Sequence, residues 1–307
     1  MQLIAILLAT VSILTFLSGF IVFAGSSKGD RIRSAWYFIA AIFATIWMIS
    51  ISLFLTATPE SSNVDWHIKW TFSSAILLDA AFLGYISWKE KYGKIVTVAF
   101  LIFGLIISGF IFSNPEYLYS EVFLSNTGNN IILNIAPLYF AYNGFFATIV
   151  PAIVFLLFRQ FYRSTSKRKR RGDIITMTSF GISSVITLIF NLILPILGNW
   201  NLVWLGPLAL AITILSIYYV ILRYRMLNLS SIWLRIFSYI VILASLAIVY
   251  MVIFSIVFAS LFRGSTPSME VIILNFIMIL IFLCLVPAVN RLFNFMNRLI
   301  KSKKIDS

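Results

Sequence analysis

The sequence predicts an all-α fold: a polytopic integral membrane bundle of about nine transmembrane helices, with the N-terminus outside and the C-terminus inside. Three observations predict it. Hydrophobic residues make up 61% of the 307 residues and charged residues only 11%, whereas soluble domains carry about 25% charged residues. Apolar runs of bilayer-spanning length recur along the chain. The basic residues are concentrated in alternate linkers between these runs.

The apolar runs place the individual helices. A bilayer core about 30 Å thick needs about 20 apolar helical residues. Runs of this length occur at 2–24, 35–57, 69–87, 95–113, 138–158, 174–196, 203–222, 236–261 and 271–289. No basic residue precedes the first run, and this favours a retained helix over the alternative, a signal peptide cleaved near Ala24.

The linkers predict the orientation. The chain has 23 Lys and Arg against 10 Asp and Glu. Of these basic residues, 21 fall in alternate segments, namely 25–34, 88–94, 159–173, 223–235 and the tail from 290. Because translocation of basic residues is disfavoured, these segments are expected on the cytoplasmic face of the plasma (inner) membrane. We expect the cluster 167–171 to contact anionic lipids there, and no nucleic acid, because base-reading groups are missing.

The runs and linkers divide the chain into three parts. Residues 1–222 are predicted to form a seven-helix membrane region, 223–289 two further transmembrane helices, and 290–307 a short basic cytoplasmic tail. Apolar residues near the tail follow a heptad-like spacing of 4, 3, 4 and 3, at Leu285, Val289, Leu292, Met296 and Leu299. This pattern fits an amphipathic stretch at the inner interface, or the start of a dimeric signalling helix and hence a homodimer.

Few residues suggest chemistry. The sequence contains no GxxxxGK[ST], GxGxxG, HExxH or CxxC motif. With a single histidine, His67, and a single cysteine, Cys284, the chain can form neither a standard zinc site nor an internal disulfide. We therefore predict no metal and no cofactor. The outer loop 114–137 is expected to cap the bundle, and a ligand lid is the alternative.

A polar membrane core is predicted around Asp79, near the centre of the third span. A charged residue at this depth costs about 2.5–3.5 kcal/mol, so the side chain should face the bundle. It is either a switch, proton or ligand site, or a neutral group that fixes packing. The other predicted members are Asn143, Asn191 and Asn275, for which interhelical hydrogen bonds are the first interpretation. Three prolines are predicted to interrupt helices: Pro151, Pro195 and Pro207.

Several motifs occur together between Arg159 and Arg235. A basic loop, RQFYRSTSKRKRRGD, leads into a helix that ends in FNLILPILGNWNLVWLGPLAL, and the next helix ends in YYVILRYRMLNLSSIWLR. This stretch resembles the N-terminal seven-helix membrane region of bacterial sensor histidine kinases. The signature positions carried over by the resemblance are Asn191, Pro195, Gly198, Asn199, Trp204, Gly206, Pro207, Arg223 and Arg225.

The resemblance implies a region that receives a stimulus and passes it to a cytoplasmic output domain. The sequence shows no cytoplasmic phosphoacceptor histidine and no ATP-binding glycine box. We therefore expect a sensory or receptor-like module, not an enzyme, that acts through a separate cytoplasmic kinase or other output protein. The alternative is a transporter or channel using Asp79. A lipid-modifying enzyme is disfavoured, because acids and histidines do not cluster at the predicted interface.

Overall fold

The computed structural model describes residues 2–57, 64–88, 91–124 and 131–224. The eighth and ninth predicted spans, the basic tail, Asn275 and Arg225 lie outside the described residues. The predicted count of nine helices and the predicted orientation therefore stay predictions.

Seven helices in the described residues are long and apolar enough to cross a membrane. They are α1 (Gln2–Gly25), α2 (Arg31–Thr56), α3 (Val64–Ser87), α4 (Lys91–Ser113), α5 (Leu138–Arg163), α6 (Lys167–Leu188, continuing through a π-helical turn, Ile189–Ile193, and Leu194–Ile196) and α7 (Leu205–Tyr224). A 3₁₀ turn, Lys28–Asp30, precedes α2. The helices match the first seven predicted spans in order, and the helical multi-pass membrane fold is confirmed for this part of the chain.

Four helices begin earlier than their apolar runs predict: α3, which begins at Val64, and three whose added turns carry basic residues. Helix α2 begins at Arg31, α4 at Lys91 and α6 at Lys167. The added turns carry Lys and Arg, whose long side chains reach water or headgroups while the backbone stays helical. Hydropathy therefore marks the part of each helix inside the hydrocarbon, and the helix itself extends further.

Helix α3 lies at the centre of the bundle. It packs against α2, α4 and α5. Helix α7 contacts α1, α2 and α6 and so connects the helices on either side of it. The most apolar window of α3 is 94% buried, whereas that of α4 is only 28% buried. Helix α3 also has the lowest mean hydropathy of the seven and α4 the highest. Polar residues are costly against lipid, so the least apolar helix occupies the interior.

The basic linkers meet at one end of the bundle, called the basic end below. There the Arg33 guanidinium lies 4.6 Å from the ring centre of Tyr85, joining the start of α2 to the end of α3. The Arg168 side chain donates to the backbone carbonyl of Arg223 at 3.3 Å, joining α6 to α7. Among the described basic residues, only Lys69 lies towards the opposite end.

The loop at the opposite end contains a β-hairpin that the all-helical prediction did not include. Strands β1 (Tyr119–Leu124) and β2 (Ile131–Ile135) pair antiparallel, and their many β-branched and aromatic residues favour this structure. The Tyr119 hydroxyl donates to Asp65 Oδ1 in the first turn of α3 at 3.2 Å. Burial, the Asp65 carboxylate and this hydrogen bond raise the pKa of Tyr119.

The prolines behave differently from one another. Pro151 lies inside α5, which continues from Leu138 to Arg163, so the prediction that it interrupts a helix is wrong. Pro195 lies two residues after the π-helical turn of α6. The prediction that Pro207 interrupts a helix is wrong. Helix α7 begins at Leu205, so Pro207 lies in the first turn, where a backbone N–H would have no helical partner anyway.

We expect Gly19→Leu to loosen the packing of α1 on α2. A Cβ atom at Gly19 would lie only 2.5 Å from the Cβ of Ala41. Overpacking of this kind costs about 1–3 kcal/mol, although leucine favours a helix more than glycine does. Thermal unfolding in detergent measures the loss. Gly109→Leu is the matched control, because a Cβ there meets no atom within 4 Å; equal losses would contradict the packing account.

Candidate functional site

Asp79 lies in the buried core of the bundle. It is on α3, and its side chain is 3% exposed. Its Oδ1 atom has no hydrogen-bond partner among the described residues. Buried polar atoms are rarely left unpaired, so this oxygen marks a position where a water molecule or a small polar ligand can bind.

Two further polar side chains approach the level of Asp79. Phe82 of α3 stacks on Phe180 of α6, with ring centres 4.9 Å apart. Asp79 is about one turn from Phe82, and Ser184 about one turn from Phe180, in the same direction along the bundle. The Ser184 Oγ atom is buried and also lacks a partner in the described part of the chain. Tyr142 of α5 interacts electrostatically with Asp79.

Helices α3, α5 and α6 therefore contribute Asp79, Tyr142 and Ser184 to one region, called the polar core below. A carboxyl and two hydroxyl groups can together bind a small polar group. Within the described ranges, no three His, Cys, Asp or Glu side chains are grouped as a metal site would require. Asn143 follows Tyr142 on α5; it is half-buried, and its Oδ1 atom also lacks a partner in these ranges.

A tyrosine connects α5 to the irregular part of α6. Pro195 has no N–H group to donate to the carbonyl of Asn191, four residues earlier. The Tyr139 hydroxyl donates to this carbonyl at 3.0 Å. The ring of Tyr139 stacks on Tyr142, with centres 5.7 Å apart. The π-helical turn is thereby connected through two adjacent tyrosines to the polar core.

Small and hydroxylated residues line the contact between α6 and α7. The Ser183 hydroxyl donates to the Ala209 carbonyl at 2.6 Å and accepts from Thr213 at 2.7 Å. The Asn191 amide lies against Gly206, where any Cβ atom would overlap it. Gly206 is therefore needed for the close approach of the two helices at the π-helical turn.

The signature positions fall into two groups. Asn191, Pro195 and Gly206 meet around the π-helical turn, and Trp204 and Pro207 flank Gly206 in the chain. Gly198, with φ of +78°, forms the turn after α6, and the Asn199 side chain accepts from the Asn201 N–H at 3.1 Å. Arg223 belongs to the other group, at the basic end.

The sequence reasoning missed the buried tyrosines. Besides Tyr139, Tyr37 is fully buried, and its hydroxyl donates to the Ile214 carbonyl at 2.8 Å, joining α2 to α7. Tyr85 is buried beneath Arg33. A tyrosine well inside an apolar run was the available signal, because its hydroxyl must find a partner in the protein.

Comparison with known proteins identifies one family. The family described as the N-terminal 7TM region of histidine kinase matches residues 6–230. The match covers nearly all of the seven described helices, and it includes both groups of signature positions. No curated protein and no solved structure matches the chain.

The Tyr139–Asn191 contact can be tested by a double-mutant cycle. We expect Tyr139→Phe to lower stability by about 1 kcal/mol, because the Asn191 carbonyl loses its donor. Pro195→Ala supplies a backbone N–H four residues after Asn191, so Tyr139→Phe should cost clearly less in that background. Thermal unfolding of the four proteins in detergent gives the coupling. Tyr162→Phe, at an exposed position of α5, is the control; additive effects would contradict the account.

Proposed function

The chain belongs to the family of N-terminal 7TM regions of histidine kinases, and we propose that it is a membrane-embedded sensory module of bacterial signal transduction. The observation that carries this proposal is the family match over residues 6–230. This family is the non-catalytic input region of the kinases, and a multi-pass membrane bundle is what the described helices form.

The polar core is the proposed place where the stimulus acts. It lies inside the bundle, and two of its buried oxygens lack partners among the described residues. Binding of a small polar molecule or a proton at Asp79 would change the hydrogen bonding of α3, α5 and α6 together. A ligand shifts a conformational equilibrium only by its differential affinity for the two states, and unpaired buried groups allow such a difference.

Helix α6 is the proposed route to the output. Its π-helical turn receives the Tyr139 hydrogen bond, and its first turn carries Arg168, which contacts the end of α7. π-Helical turns occur frequently at functional sites, and a change of register there would shift the rest of the helix. Arg168 and Arg223 would then move at the basic end.

The proposed output lies in the cytoplasm. In this proposal the basic end lies on the cytoplasmic side of the plasma membrane, because basic residues are retained on the cytoplasmic side. The proposed partner is a separate cytoplasmic kinase or another output protein, and a homodimer remains part of the proposal. Anionic lipids at the inner face would contact the cluster at 167–171.

A transporter or channel is the second candidate, favoured by the unpaired Asp79 alone. Intramembrane carboxylates mark proton and ion pathways in such proteins. The two candidates differ in a measurable way. A sensor changes the populations of two conformations, whereas a transporter moves a solute across the membrane.

Asp79→Asn separates the two candidates. In a Cys284→Ser background, spin labels at Tyr162 and Arg223, both exposed at the basic end, report the separation of α5 and α7. We expect two populations of the distance between the labels. Asp79→Asn should change their ratio about fivefold, which corresponds to the lower end of typical coupling free energies. Glu116→Gln, the same chemical change at an exposed site, should leave the ratio unchanged. Proton or ion flux in liposomes that Asp79→Asn abolishes would overturn the sensory proposal.

The proposed orientation predicts the accessibility of two exposed linkers. In the same Cys284→Ser background, a cysteine replacing Thr165, between α5 and α6, should react only from the cytoplasm. One replacing Asn199, between α6 and α7, should react only from outside. Labelling of cells with a membrane-impermeant maleimide, before and after permeabilisation, measures both. Reaction of both from the same side would contradict the orientation.

A further inference from the structure

A lateral groove opens at the basic end, away from the polar core. Its volume is about 290 Å³, close to the lower limit of about 300–1,000 Å³ for small-ligand pockets. Residues of α3 form the floor, and α2 and α4 form the walls. The lining residues include Ile32, Trp36, Gly84, Lys94, Thr97 and Val98.

The groove is apolar inside and open on its side. The hydroxyl groups of Ser87 and Thr97 are 2.7 Å apart and hydrogen bond to each other, so neither needs a partner from a ligand. Ile32 and Val98, on the two walls, are 59% and 51% exposed. In a membrane Val98, within the apolar run of α4, faces hydrocarbon, and Ile32, in the first turn of α2, lies at the level of the headgroups. The groove therefore opens towards lipid chains and not towards bulk water.

Groups suited to a lipid headgroup stand at the rim. Lys94 lines the groove and is exposed. Trp36 and Trp88 also line it, and tryptophan is enriched at the level of the headgroups. The stretch 28–33, which contains the lining residue Ile32, carries three basic residues and one acidic residue. An apolar slot with a cationic rim matches a molecule with an apolar chain and an anionic head.

We propose that this groove binds one phospholipid with an anionic headgroup. One acyl chain lies against Gly84 and Trp36 between α2 and α4, and the phosphate contacts Lys94. Gly84 is required for the position of the Trp36 ring, because a Cβ atom there would come within 2.6 Å of that ring and push it into the groove. This inference goes beyond the proposed sensory function and does not depend on it, since the groove is separate from the polar core.

Native mass spectrometry of the purified full chain tests the proposal. The protein in detergent is titrated with phosphatidylglycerol and, in parallel, with phosphatidylcholine of the same chains. We expect one phosphatidylglycerol to bind at least tenfold more tightly than further copies and than phosphatidylcholine. Excess inorganic phosphate should not displace it, because most contacts are to the acyl chain.

Two pairs of variants locate the binding. Lys94→Gln should weaken the first phosphatidylglycerol about fivefold, the effect of one cation near an anionic lipid. Lys169→Gln removes the same charge from the exposed α6 cluster and should leave that site unchanged. Val98→Trp fills the groove and should abolish tight binding. Ile102→Trp, one turn further along the exposed face of α4 and not in the groove, should not.

Several results would overturn the proposal. Equal affinity for the two lipids would show that the negative charge of the headgroup does not contribute to binding. Equal weakening by Lys94→Gln and Lys169→Gln would show nonspecific attraction to a basic surface. A dimer that Val98→Trp dissociates, with lipid affinity unchanged, would assign the groove to a second copy of the chain. Lys94→Gln changes only an exposed side chain, so its result stands even if Val98→Trp does not fold.

Discussion

Hydrocarbon offers no hydrogen bonds, so every polar group inside the bilayer must find its partner within the protein. The position of α3 follows from this constraint. Its polar residues would be costly against lipid, and the structure surrounds it with other helices. Helix α4, the most apolar of the seven, lies at the periphery. On α3 the constraint is not fully met for Asp79 and Ser73 within the described residues, and Asp79 is the one of the two that carries a carboxyl group.

Hydroxyl groups satisfy the constraint in two ways with different consequences. Most serines and threonines donate to a carbonyl one turn earlier in their own helix, as Thr15 does to Val11 at 2.8 Å. Such bonds leave the helices free to move past one another. Tyr37 and Tyr139 instead donate to carbonyls of other helices. Interhelical bonds in membranes average only about 0.6 kcal/mol, so these contacts can hold one arrangement of helices without preventing another.

The two proposed sites share α3 but use opposite properties of it. The polar core uses a buried carboxyl group that faces other helices. The lateral groove uses Gly84, whose missing side chain lets the Trp36 ring pack directly on α3 at the floor of the groove. A lipid in the groove would contact the same helix that carries Asp79, less than two turns away. The bilayer would then be in direct contact with the helix on which the stimulus is proposed to act.

Hydropathy and charge predicted the helical membrane class and the approximate positions of α1–α7, and the motifs between Arg159 and Arg235 predicted the turn between α6 and α7 and the family. These properties depend on chain length and on local composition, which the sequence states directly. Only the tertiary structure placed α3 at the centre, joined Tyr139 to the Asn191 carbonyl and formed the groove at Gly84. The physical reason is that lipid and protein interior are almost equally apolar. A helix that is apolar on all sides therefore does not reveal which face contacts its neighbours, and close packing of specific side chains decides it.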